Sequence, residues 1–444
     1  MLHSETWTGS LMPFTRSIGR WAMTGLVINS IIGSGIFGVP SELIRLLGRA
    51  SPLAMIVAAF AMAVIMAAVT EVASQFSEPG GPYLYVRTAF GRYAGLMVGW
   101  FWMLAVVGGG AASANLFVNY LAGILPAVGN GMWRLLTVTC LIAIPTIANC
   151  RGVRSGANLS SVLAVAKLLP LLLIIVLGLI RFALQPSGIE GAEIAAPGWN
   201  AWLGALLLLI YSYGGYEDAL APAGEVKNPR RTIPQALAAG MLICALVYTA
   251  LQFVTVTTVG AAVSDRPIVD AALRLIGPGG ALFVTVAVMI STYGWLSASV
   301  LNAPRLAYSF AAQRDFPAVF ARLHPRFRTP VPAIFLYATL TWALAVTGSF
   351  LWALTLSAGS MMILYAGVCA ALLRFRKLKP HADALRVPFG PVLAVVGIGV
   401  SLVLLSQLKT REILLMTVTA LLATANWFWA TRKYQKTMQR TRGV

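Results

Sequence analysis

Apolar residues in this chain gather into runs of twenty or more, separated by short polar or turn-rich segments, the pattern of helices that cross a membrane in succession. Runs occupy about 21–46, 52–76, 157–180, 233–259, 280–310, 387–408 and 413–431, and three more lie within 93–133, end near 150 and begin near 199. The uncharged stretch 329–373 is too long for one helix, and Thr347-Gly348-Ser349 supplies a turn that divides it in two. About twelve spans result. A membrane barrel would show weak alternation in segments of about 10 residues instead. The expected fold is an all-α integral membrane protein, with the first run retained as a span because it is too long for a signal-peptide core.

Two runs are interrupted in their interiors. The first contains Asn29-Ser30-Ile31-Ile32-Gly33-Ser34-Gly35-Ile36-Phe37-Gly38-Val39-Pro40. Gly33, Gly35 and Gly38 each weaken a helix by about 1 kcal/mol relative to alanine, and in lipid a freed backbone needs a partner from within the protein. An opened helix aims N–H groups from its second half and leaves carbonyls at the end of its first, so one break can hold a carboxylate and an ammonium. A glycine kink or close helix packing is the structural alternative. The second interruption is Tyr211-Ser212-Tyr213-Gly214-Gly215-Tyr216-Glu217-Asp218, followed by Pro222 and Gly224. The breaks fall in spans 1 and 6, so spans 1–5 and 6–10 are expected to form an inverted repeat, and matched breaks point to a substrate site near the midplane. The expected units are a cytoplasmic segment 1–20, a first repeat 21–183, a second repeat 199–374, two further spans in 386–431 and a basic cytoplasmic tail 432–444. A channel is the competing reading, but no span carries a charged ring and no loop resembles a carbonyl-lined filter.

Composition agrees with the pattern: 58% of the 444 residues are hydrophobic and 11% charged, too apolar for a soluble protein. A net charge of +19 in a soluble domain would suggest nucleic acid, but here the basic residues sit in loops and report topology. With the N-terminus in the cytoplasm, about 24 of the 33 lysines and arginines fall on the inner side and about 8 on the outer. Both termini are therefore expected in the cytoplasm, with the basic tail against lipid headgroups and no nucleic-acid partner. Cys140, Cys150, Cys244 and Cys369 lie in or beside apolar runs, where they act as small hydrophobes. His3, His324 and His381 all lie outside the spans, a pattern that offers no metal site or catalytic triad. No enzyme chemistry and no cofactor are expected.

Gly33 to Phe37 reads Gly-Ser-Gly-Ile-Phe, the loop at 79–83 reads Pro-Gly-Gly-Pro-Tyr, and span 6 is followed by Glu225-Val226-Lys227-Asn228-Pro229-Arg230-Arg231 and Pro234. With Arg305 to Pro317, these motifs resemble the amino acid/polyamine/organocation transporter superfamily across nearly the whole chain. One departure is Gln313-Arg314-Asp315-Phe316-Pro317, which lacks a glycine that relatives often place after the aspartate. The resemblance implies a leucine-transporter-type fold, a five-plus-five inverted repeat with two extra helices. It also implies an amino acid α-carboxylate on backbone N–H groups around Gly33, Ser34 and Gly35, and an ammonium against carbonyls near Ile31, Tyr211 and Gly214. Tyr211, Tyr213 and Tyr216 are then candidates for a ring that covers the substrate. Each also fits a packing or interfacial role.

Three charged residues in or beside spans carry the remaining chemistry. Lys167 lies mid-span, where a charged lysine is disfavoured by about 2.5–3.5 kcal/mol, and Pro170 leaves the carbonyl of Ala166 without its helical donor. In some proton-coupled relatives a similar span 5 lysine stands where sodium-coupled ones bind a cation, which implies a proton-coupling role for Lys167; a structural lysine is the alternative. Glu217 and Asp218 fit either capping of the second half-helix or, for Glu217 above all, proton coupling. Glu71 reads as an interfacial or packing residue, and Asn115, Ser297, Ser299 and Asn302 as interhelical hydrogen-bond partners. The function expected is proton-coupled symport of an amino acid across the cytoplasmic membrane by alternating access. Exchange of an amino acid for an amine, and a membrane sensor that binds solute without moving it, are the alternatives.

Overall fold

The computed structural model describes residues 18–76, 81–152, 157–185, 197–220, 226–260, 264–378 and 385–442. Helices follow the apolar runs. The first run is two helices, α1 (Arg20–Ile31) and α2 (Gly35–Leu47), and the second is α3 (Ser51–Ala73). After a short α4 (Gly81–Phe90) come α5 (Arg92–Leu121), α6 (Gly131–Cys150) and α7 (Ala157–Leu184), the third to fifth spans. The sixth span opens as α8 (Trp199–Tyr213), and the seventh is α9 (Pro229–Val259). A short α10 (Pro267–Ile276) precedes α11 (Pro278–Asn302), which α12 (Pro304–Ala312) extends. The last four spans are α13 (Val331–Thr347), α14 (Phe350–Lys377), α15 (Gly390–Leu405) and α16 (Thr410–Arg442).

Local sequence sets these boundaries. Proline in the first turn, where its missing N–H costs nothing, opens α3, α9, α10, α11, α13 and α15. Glycines with φ of 51°, 64° and 86° end α2, α9 and α10. Between α13 and α14, Ser349 accepts the N–H of Trp352 as an N-cap, so Thr347-Gly348-Ser349 is the turn that the uncharged stretch required.

Among the described residues, eight helical stretches are long and apolar enough to cross a membrane, and α8, α13 and α15 are shorter apolar helices. The centre is α5 against α14 and α13. A Cβ on Gly108 would lie 3.0 Å from the Ala353 carbonyl of α14, and one on Gly110 would lie 2.6 Å from the Tyr337 hydroxyl of α13. The glycine-rich face of α5 therefore permits helix approach on two sides.

Three parts carry detail beyond the sequence pattern. The turn-rich stretch is helical from Gly81, and Tyr83 and Tyr85 are buried. Their burial has a cause: the segment after α12 returns against α4, and the buried Asp315 carboxylate accepts from Tyr83 and Arg92 while Arg87 lies 3.1 Å away. The basic tail 432–442 continues α16 as helix. Glu71 is fully internal, where Arg376 grips both its oxygens at 2.7 Å and Val387 donates a backbone N–H at 2.9 Å.

Candidate functional site

The first break is three residues long. Ile32, Gly33 and Ser34 separate α1 from α2, with Gly33 N–H turned back onto the Ile31 carbonyl at 2.8 Å. Among the described residues, the amides of Ser34, Gly35 and Ile36 have no hydrogen-bond acceptor, as expected for the first turn of a helix that nothing caps. The carbonyl side is different. Tyr248 of α9 donates to the Ile31 carbonyl at 3.1 Å, and the buried Lys167 of α7 donates its Nζ–H to the Ile32 carbonyl at 3.2 Å. The break thus presents unsatisfied donors while the protein occupies two of its acceptors.

Side chains hold this geometry in place. Ser113 of α5 donates to the Ser34 hydroxyl at 3.0 Å, Ser34 and Tyr211 share a hydrogen bond of 2.7 Å, and Tyr211 reaches the Gly109 carbonyl at 3.4 Å. A single direction satisfies the chain: Ser113 to Ser34, to Tyr211, to Gly109. Gly35 allows the two broken spans to touch, since a Cβ there would lie 2.8 Å from the Cα of Ser212.

At the second break α8 ends at Tyr213, and Gly214 N–H returns to the Ile210 carbonyl at 2.9 Å. Gly215 has φ +95°, and a Cβ on it would sit 2.6 Å from the Ser30 carbonyl, so this position takes glycine for both conformation and contact. A 3-10 turn spans Asp218–Leu220; Pro222, Gly224 and Glu225 lie outside the described residues. Glu217 folds back, accepting the Gly215 N–H at 2.9 Å and the Tyr365 hydroxyl of α14. Tyr248 also approaches the Ser212 carbonyl at 3.3 Å, so one hydroxyl stands between the two breaks.

A small cavity lies where the two breaks meet. Of the sequence-predicted residues, Ile31, Gly33, Ser34, Gly35, Tyr211, Gly214 and Glu217 line it, and so does Asp218. Tyr213 and Tyr216 do not. Tyr213 is buried against Tyr248, ring centres 5.1 Å apart, with its hydroxyl on the Met55 carbonyl, and Tyr216 stacks on Tyr365 behind the cavity. Both flank a helix end whose next turn redirects the chain, so residue spacing alone did not reveal which aromatic faces inward. Lys167 stands behind the first break and is not part of the lining.

The rest of the wall comes from helices without an interruption: Trp102, Val106 and Gly109 of α5, Trp295 of α11, and Ser357 and Met361 of α14. The Trp295 indole runs between two glycines, since a Cβ on Gly33 would meet its Cδ1 at 3.4 Å and one on Gly109 its Cη2 at 2.9 Å. Only the glycine cluster of α5 gave a sequence signal here. Asn115 does bond across helices, to the Ala345 carbonyl at 3.2 Å and to Arg134.

Residues 18–432 match the family model described as amino acid permease. The chain is 26% identical to the serine/threonine exchanger SteT of Bacillus subtilis over 86% of its own length and 89% of that protein. It is 28% identical to the large neutral amino acids transporter small subunit 2 of Mus musculus, covering 83% of this chain and 72% of the relative. With the arginine/agmatine antiporter of Chlamydia pneumoniae the identity is 25%, over 87% and 84% of the two chains.

Proposed function

Because the chain belongs to the amino acid permease family, we propose that it carries an amino acid across the cytoplasmic membrane by alternating access about the two broken helices, coupled to protons. In this reading spans 1–5 and 6–10 are inverted repeats that move against each other, and both termini lie in the cytoplasm. The amides of Ser34, Gly35 and Ile36 take the substrate carboxylate, Tyr211 covers it, and no bond of the substrate is made or broken. The observation that carries the coupling is Lys167, buried and hydrogen-bonded to the Ile32 carbonyl. A lone cation at a helix break is where loss or gain of a proton changes how that break holds together. Glu217, bonded to the backbone of the second break and to Tyr365, is the second coupling group.

Exchange is the second reading, favoured by two relatives, a serine/threonine exchanger and an arginine/agmatine antiporter. Protein in liposomes separates the modes. Proton symport predicts that labelled amino acid accumulates on an inward proton gradient without sodium and without internal substrate. Uptake that starts only when an amino acid or amine is loaded inside would replace symport by exchange. A ligand that raises thermal stability yet is never taken up would show a sensor.

A further inference from the structure

The cavity contains a negative charge without a partner. Asp218 lines it and is exposed, and among the described residues its carboxylate makes no hydrogen bond or ion pair. No lysine, arginine or histidine lines the cavity among the described residues either. The other carboxylate, Glu217, is already held by Gly215 N–H and the Tyr365 hydroxyl. The group that best complements an unpartnered carboxylate on the wall of an aromatic-lined cavity is a cation brought by the ligand.

We propose that Asp218 reads a cation at the far end of the substrate side chain, so that the protein prefers basic amino acids over their neutral isosteres. The inference rests on the transport reading above. Position separates this role from recognition of the α-ammonium. The free amides of the first break lie beside Gly35, and the α-ammonium is joined to the carbon that bears the carboxylate. Asp218, by contrast, is three residues beyond Gly215 along a turn closed by its own N–H on the Gly215 carbonyl at 3.1 Å. Between the two ends, Trp102, Val106 and Trp295 offer an apolar wall for methylene groups.

The test is competition against uptake of a labelled amino acid by the protein in liposomes, using matched pairs: arginine against citrulline, and lysine against norleucine. Wild type is expected to favour the basic member of each pair by about tenfold or more, the value of one charge-assisted contact. Asp218→Asn should bring the ratio close to one, and Asp218→Glu should restore part of the preference. Equal competition within both pairs by wild type, or an unchanged ratio in Asp218→Asn, overturns the assignment while leaving transport intact. Should the asparagine variant not reach the membrane, the wild-type ratios and Asp218→Glu decide the matter. Absence of uptake and of a ligand-dependent thermal shift for every amino acid would remove the transport reading, and this inference with it.

Discussion

Between Ser30 and Ser41 the first break carries no ionisable side chain, whereas the second places Glu217 and Asp218 within four residues of Gly214. Each break exposes the same backbone groups, yet their electrostatics are opposite. The first obtains its charge from another helix: Lys167 of α7 binds a carbonyl, and the amides of Ser34 to Ile36 have no acceptor among the described residues. The second brings its own charge, and Glu217 closes the Gly215 amide. In the proposed reading an anion fits the first break and a cation the second, so a solute with one of each would align between them in the direction set by the polar groups the protein has already satisfied.

Substitutions that erase this difference are expected to matter most where backbone meets backbone. We predict that Gly35→Val abolishes uptake with the protein still in the membrane, because the added Cβ would lie 2.8 Å from the Ser212 Cα and overpacking there displaces the donors of the first break. Normal initial rates for this variant, measured at matched expression, would remove the first break from the site.

Next in size is the borrowed charge. Lys167→Ala is expected to lose accumulation on a proton gradient entirely while retaining a ligand-dependent thermal shift, since Lys167 binds a carbonyl and not the cavity. Gradient-driven concentration of substrate by that variant would exclude the coupling role.

Smaller effects sharpen the comparison. Glu217→Gln keeps the side chain's shape but removes the charge that closes Gly215, and apparent affinity should fall about tenfold, the value of one charged hydrogen bond. Tyr211→Phe removes only the hydroxyl that links Ser34 to Gly109, so a rise of about threefold in apparent KM is expected, as for a neutral hydrogen bond. Tyr216→Phe should change substrate preference least, because that ring packs against Tyr365 outside the cavity lining. A shift in preference larger for Tyr216 than for Tyr211 would reverse the assignment of the covering ring.

The existence of the spans, the positions of both breaks and the turn at Thr347-Gly348-Ser349 were legible in the sequence because each is a local property. Helix length follows from the apolar run, and a glycine pair weakens a helix wherever it sits. The break residues Gly33, Ser34, Gly35 and Gly214 were readable for the same reason, and Lys167 stood out by its cost in an apolar span. Tertiary structure decided what each freed group meets. Trp295 and Tyr248 sit in runs without interruption, and nothing near them in sequence indicates that one spans Gly33 and Gly109 while the other stands between the two breaks. Tyr211 and Tyr213, two positions apart on α8, face about 200° away from each other, Tyr216 follows the left-handed turn at Gly215, and of the three only Tyr211 lines the cavity. Hydrogen-bond demand is written into each residue, but its satisfaction depends on atoms more than a hundred positions away, as with Lys167 on Ile32 and Tyr365 on Glu217.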